Sequence, residues 1–246
     1  MLILFSLVLA RVGGLFMGAP VFSAQGMPQR LKAMIVLGLS AALLPVVPPA
    51  TLPEGSYAVL VAMVGELAVG FAIGLLARLF LTAFQVAGAM IAFQMGFAMA
   101  RTFDMNSRVQ APVIATVYLQ LVTILFLLVD GHHVLIRSLA ASYETFPLGG
   151  SLQAGALSQT LFTAGGAMYE AGARIAGPVT GLMLLINSLM GLLNRILPQL
   201  SIFNIGFPLT VMSGLIAITF SIPEVVHFFV AAYAVFEDQI IGIFVG

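Results

Sequence analysis

The sequence predicts an all-α polytopic membrane protein of about seven or eight kinked helices or helical hairpins. Three observations carry that prediction. Of 246 residues, 61% are hydrophobic and only 7% are charged, whereas a soluble domain carries about 25% charged residues. Mean hydropathy is +1.14, and the apolar runs approach or exceed the roughly 20 residues with which a helix crosses the hydrocarbon. None of the runs alternates with the period of two that marks a membrane barrel strand. Nine acids balance nine bases, so a formal charge of 0 gives no reason to expect nucleic acid or a strongly anionic surface as partner. No cysteine is present, which excludes disulfides and thiolate chemistry.

The first element spans residues 2–22, is interrupted by Arg11, and ends at Ala19-Pro20. Its opening, MLILFSLVLA, lacks a basic leader and its apolar run continues to Phe22, so a retained helix is expected rather than a signal peptide. A polar stretch at 23–32 holds Arg30 and Lys32, which the positive-inside rule puts on the cytoplasmic side, with Glu54 in the next loop on the other. Residues 33–47 form a second run, closed by the proline-rich 45–55. From Tyr57 to Ala100 the chain is apolar for 44 residues. That is about 66 Å of helix, twice a bilayer, so two helices or one bent element are expected, with the break at Arg78. Residues 111–129 follow, ending in Asp130-Gly131, and then a more polar region around Arg137. Residues 154–176 read as a mixed helix in which Glu170 and Arg174 pair at i and i+4. Pro178 is placed to start the next helix, stopped by Pro198, and 203–222 and 224–246 are divided at Pro223.

Several constellations stand out. Gly14/Gly18, Gly70/Gly74, Gly88/Ala92/Gly96 and Gly177/Gly181 repeat at the spacing that lets helix backbones approach closely in lipid, within the chain or between subunits. Glu66 lies inside an apolar run and is read either as functional in the bilayer or as paired within an assembly. Asn187, Gly191 and Asn194 make one polar stripe, beside Arg195, suited to interhelical hydrogen bonds. His132 and His133 follow Asp130-Gly131 at a helix end. Adjacent helical residues point about 100° apart, so the pair is not expected to hold one metal from one face. No nucleophile–base set, paired-carboxylate cleft or phosphate-cradling loop is present, and nothing argues for an enzyme or a cofactor.

The stretch FQMGFAMARTFDMNSRVQAPV, 93–113, is the most unusual. Arg101, Asp104 and Arg108 carry charges that neutralise one another in part, and Asn106-Ser107 read as a turn. Phe93, Met95, Phe97, Met99, Phe103 and Met105 crowd its leading edge, and methionine makes surfaces that repack. Local physics leaves a solvated turn and a working segment equally open.

Five segments in register resemble one family. They are RVGGLFMGAPVFSAQGMPQRLKAMIVLGLSAALLP from Arg11, GELAVGFAIGLLARL (65–79), the 93–113 stretch, DGHHVLIRSLAASYETFPLG (130–149) and LLNRILPQLSIFNIGFPL (192–209). Together they resemble the FliR family, a core subunit of the flagellar type III export gate with homologous injectisome counterparts. Ser201 stands where the family pattern has Asn, with Asn204 three residues on. The resemblance implies one domain over 1–246, with a FliP-like part at about 1–176 fused to a FliQ-like helical hairpin at about 177–246. It implies a single copy within a helical hetero-oligomer of FliP and FliQ subunits in the bacterial inner membrane, at the flagellar basal body. FlhB and FlhA would be further partners, lipid would cover part of the surface, and unfolded flagellar proteins would be the cargo. It further implies a pore plug formed by Arg101, Thr102, Phe103, Asp104, Met105, Asn106, Ser107, Arg108, Val109 and Gln110. Phe93, Met95, Phe97 and Met99 would form its seal, and Glu66, Asn187, Asn194 and Arg195 are candidate inter-subunit polar contacts. A secondary transporter is the alternative from another class, but Glu66 and Arg78 lack counterparts in 154–246.

Overall fold

The computed structural model describes residues 2–22, 28–49, 55–97, 113–150, 154–196 and 206–245. The expected plug at 101–110 and the expected seal residue Met99 lie outside the described residues. Among the described residues all regular structure is helical: α1 (Leu2–Gly18), α2 (Gln29–Leu43) with a 3-10 turn (Leu44–Val46), α3 (Ser56–Gln94), α4 (Val113–Leu128), α5 (Gly131–Thr145), α6 (Ala154–Ile196) and α7 (Phe207–Val245). Among the described residues four helices are long and apolar enough to cross a membrane, or five spans if α4 and α5, bent by 67° at Val129-Asp130, count as one. The chain is a polytopic helical membrane protein.

Four elements differ from the sequence expectation. The run from Ser56 is one helix of 39 residues with no break at Arg78. Arginine is a good helix former, and Arg78 is exposed, so its charge leaves the helix core undisturbed. Pro178 and Pro223 do not divide elements but lie inside α6 and α7. A proline there removes the hydrogen bond to the carbonyl four residues back, that of Arg174 for Pro178 and of Thr219 for Pro223, a loss that helices in lipid and packed protein tolerate. The hydroxyls beside the prolines bond other carbonyls. Thr180 Oγ1 donates to the Ala176 and Gly177 carbonyls at 2.9 and 3.0 Å, and Ser221 Oγ donates to the Ile218 carbonyl at 2.9 Å. Finally, α2 begins at Gln29, within the stretch expected to be a polar loop, because Pro28 in extended geometry (φ −56, ψ 138) stands immediately before its first turn. At 1.5 Å per residue, α3, α6 and α7 are each about 58–65 Å long against about 30 Å of hydrocarbon. Lipid therefore cannot solvate their whole length.

The chain forms two compact units. The first comprises Met1–Phe80, Thr123–Gly166 and Tyr233–Gly246. There α1 lies against the first half of α3 through the two glycine pairs that the sequence singles out. A methyl group on Gly74 would stand 2.6 Å from the Leu15 carbonyl oxygen and the Ala19 nitrogen, and one on Gly18 2.6 Å from the Phe71 carbonyl oxygen. Methyls on Gly14 and Gly70 would collide with the Leu67 and Arg11 carbonyls. Van der Waals packing replaces the hydrophobic drive that lipid cannot supply, so this close approach holds the two helices together. Farther along, Phe80 stacks on Phe236 at 4.8 Å between centroids, and Phe126 meets Phe236 and Tyr233 edge-on at 6.2 and 6.0 Å. Such pairs contribute about 0.5–1.5 kcal/mol each beyond their burial. Gly131 opens α5 beneath Phe126, whose ring would lie 2.5 Å from any added methyl.

The second unit comprises Leu81–Val122 and Ala167–Ala232. Here Gly88 lets α3 approach the backbone of α4 at Ile114 and Ala115, and Gly172 on α6 faces Ala83 and Val86. Phe84 contacts Phe228 and Phe229 at 6.2 and 5.7 Å, and Tyr118 shares a 3.4 Å hydrogen bond with Ser221. Gly177 and Gly181 differ from the other pairs: nothing among the described residues approaches within 4 Å of a methyl built on either.

Candidate functional site

Two sites in the fold gather polar groups inside apolar surroundings. In the first unit, Arg11 and Glu66 are 1% and 4% exposed, and Arg11 Nε donates to Glu66 Oε2 at 2.5 Å. Arg11 Nη1 donates to Ser142 Oγ at 3.0 Å, and Nη2 to the Phe146 carbonyl at 2.8 Å. The guanidinium carbon lies 4.2 Å from the centroid of the Tyr143 ring, a cation–π distance. Glu66 Oε1 accepts from the Gly149 amide at 3.1 Å, and Gly149 takes φ 74, a backbone state that glycine adopts without strain. Ser142 passes the chain of bonds on, donating to the Leu139 carbonyl at 2.7 Å. One guanidinium thus ties α1, α3, α5 and the turn after α5 into a network. Removing one member of a buried pair strands the other charge at a cost of about 3–5 kcal/mol. Glu66, a candidate inter-subunit contact, has both oxygens engaged within its own chain. Its partner Arg11 is likewise a lone charge in an apolar helix, and charges so placed pair with one another.

The second site is the end of α3, immediately before the 98–112 stretch. Gly96 holds φ 82 and its amide bonds to the Phe93 carbonyl at 3.1 Å, the left-handed stop that ends many helices. Asn187 on α6 donates from Nδ2 to the Gln94 carbonyl at 3.1 Å, satisfying a carbonyl that the helix end leaves open. Met95 is 0% exposed and lies against Gly214 of α7, where an added methyl would come within 2.5–2.7 Å of its Cγ, Sδ and Cε. Phe97 meets Phe207 edge-on at 6.4 Å between centroids. So three consecutive contacts, from α6 and from both the start and the first turns of α7, hold the last turn of α3.

The structure brings Met95, Phe97 and Asn187 together at this junction. Phe93 stands 69% exposed beside them. Asn194 and Arg195 are exposed on the last turns of α6. The importance of Gly214 and Phe207 was not legible in the sequence, because each matters only through a residue more than a hundred positions away. Glu170 and Arg174 form the expected pair at 2.6 Å, both well exposed, a geometry that contributes about 0.3–0.5 kcal/mol. His132 and His133 correct the expectation that they diverge. Their ring centroids are 4.2 Å apart, because side-chain torsions swing the rings together even though the Cβ directions differ.

The family model described as "Bacterial export proteins, family 1" matches residues 2–235. The chain is also 34% identical over 220 residues to the flagellar biosynthetic protein FliR of Escherichia coli, covering 89% of this chain and 84% of that one. The chain belongs to the FliR family. Two further FliR proteins show the breadth of the likeness. That of Caulobacter vibrioides is 28% identical over 219 residues, covering 88% and 87% of the two chains. That of Bacillus subtilis is 27% identical over 215 residues, covering 84% and 81%. In this FliR-family chain the matched range includes both polar sites just described.

Proposed function

We propose that this chain is a core, non-enzymatic subunit of the flagellar type III protein export gate, where it helps form and plug the channel that unfolded flagellar proteins cross. The observation that carries the reading is the triple attachment at the end of α3. Asn187, Gly214 and Phe207 fix Gln94, Met95 and Phe97, so a segment leaving this point starts from a rigid base. The 101–110 segment that follows has the composition of a plug. Arg101, Asp104 and Arg108 offset one another, and Phe93 and Phe97, with Met99, supply bulky groups that seal and repack around a passing chain. Met95 acts from inside the chain as the anchor of that seal.

The partners follow from the exposed faces. Met34 on α2, Leu185 and Leu189 on α6, and Met212 and Phe220 on α7 are 58–82% exposed, and helices twice the hydrocarbon thickness need protein as well as lipid to cover them. FliP and FliQ subunits would cover these faces, with FlhB and FlhA adjoining, in the inner membrane at the flagellar basal body. The relatives' names favour the flagellar gate over the virulence-type one. The test is deletion of 103–110 in the assembled gate, with ion conductance recorded in liposomes and export in cells. Raised conductance is expected; unchanged conductance together with unchanged export sinks the plug reading.

A further inference from the structure

The turn between α4 and α5 gathers three metal-ligating side chains for which the export reading has no use. Asp130 occupies the left-handed region at φ 58, and Gly131 then opens α5. Asp130 Oδ1 lies 3.1 Å from His133 Nδ1, and the two imidazole rings are tilted by 34° to each other with centroids 4.2 Å apart. One ligand atom from each of Asp130, His132 and His133 lies within 4.8 Å of the other two. His132 adds an independent sign. Its Nδ1 is shut off from solvent and has no hydrogen-bond partner among the described residues, whereas buried imidazole nitrogens normally find one. Asp130 and His133 are 71% and 58% exposed, so an ion has access from outside.

We propose that Asp130, His132 and His133 bind one borderline divalent transition-metal ion of the zinc class, through two imidazole nitrogens and one carboxylate oxygen, with water completing the coordination. The donor set selects the ion. Neutral imidazole with carboxylate suits Zn2+, Ni2+ and Co2+, whereas Mg2+ and Ca2+ favour all-oxygen sites, and no thiolate is available for softer ions. Bonds of about 2.0–2.2 Å hold tetrahedral donors about 3.4 Å apart, so the cluster need contract by no more than about 1.4 Å from its 4.8 Å limit. The positive end of the α5 dipole opposes a bare cation here, and the Asp130 carboxylate offsets it. The turn is held in place from α7, where Tyr233 Oη donates to the Val129 carbonyl at 3.1 Å. This site is independent of the plug and gate reading.

The experiment titrates the full-length chain, purified in nanodiscs on a histidine-free tag, with Zn2+ against a chromophoric chelator and with Co2+ for its visible d–d bands. The chain has three histidines, which makes the assignment clean. One ion per chain is expected, weakened about tenfold or more in Asp130→Asn and in His133→Gln, with the Co2+ bands lost. His227→Gln, on α7 in the other unit, should bind as the parent does. Elution volume and melting temperature establish that the two exposed-site variants keep the fold. Absence of saturable binding at micromolar Zn2+, or parental affinity in both site variants, overturns the proposal.

Discussion

Arg11 and Glu66 stand 55 residues apart in sequence and form one buried ion pair, with every oxygen of the carboxylate engaged by a donor of the same chain. The partners of Arg11 lie on three separate segments, so the pair fixes a junction and not merely a contact. Glu66→Gln leaves the guanidinium buried without its counter-ion, and a loss of about 3–5 kcal/mol is expected. Arg11→Met combined with Glu66→Leu should recover most of that loss, since an apolar pair of similar volume is often neutral. Thermal melting of the purified chain in detergent, run as a double-mutant cycle, gives the comparison. Additive losses would show that the two residues do not act together.

The glycines divide into two kinds, and alanine distinguishes them. Gly74→Ala places a methyl 2.6 Å from the Leu15 and Ala19 backbones, where only a backbone shift relieves the clash, so about 1–3 kcal/mol of destabilisation is expected. Gly181→Ala meets nothing within 4 Å among the described residues and should stabilise the isolated chain by about 0.5–1 kcal/mol through helix propensity. Melting of the two single variants decides it. The same Gly181→Ala change made in the assembled complex tests whether another subunit lies on that face: impaired assembly despite a stabler chain marks an interface.

At the end of α3, Gly214→Ala drives a methyl toward the Met95 side chain. Methionine has torsions to spare, so a modest loss of about 1 kcal/mol is expected at that contact. Met95→Ala alone leaves a cavity and should cost about 2–5 kcal/mol. The double variant should fall short of the sum, because the new methyl enters the space that Met95 vacates. Strict additivity in the melts would mean that the two side chains do not meet.

Asn187→Leu removes the donor to the Gln94 carbonyl and should cost about 1 kcal/mol. If the α3 end anchors the plug, the same variant also raises leak conductance of the assembled gate in planar bilayers, without loss of assembly. A parental leak with a lowered melting temperature would confine Asn187 to a role in stability.

Much of the fold was legible, and where it was not the reason is physical. Glycine spacing marked the faces at which α1 and α3 pack, though not that they pack on each other, and the i, i+4 rule identified Glu170–Arg174, because both depend on local periodicity. Helix boundaries at Arg78, Pro178 and Pro223 failed together. The break at Arg78 rests on measuring an apolar run against one bilayer, and those at Pro178 and Pro223 rest on proline as a helix boundary, whereas α3, α6 and α7 are each about twice a bilayer in length. Prolines that would end a soluble helix sit within these elements beside threonine and serine hydroxyls. The partner of Glu66 was not legible because it lies on another helix, 55 residues away, beyond the reach of any local spacing rule. The expected seal divided for a similar reason: Met95 and Phe93 are two residues apart, yet one faces Gly214 in the interior and the other is exposed. That division depends on α6 and α7, which no local pattern encodes.

Gly70 has one more consequence. A methyl there would strike the carbonyl of Arg11, the residue whose guanidinium reaches across to Glu66. The clearance between two backbones therefore also determines where a charge rests. One carbon atom added to α3 would register chiefly as a cation drawn off its anion, with the effect carried through a side chain to α5 and the turn beyond it. Gly70 thus serves as a gauge for the thickness of the α1–α3 wall, set by an atom the residue does not have.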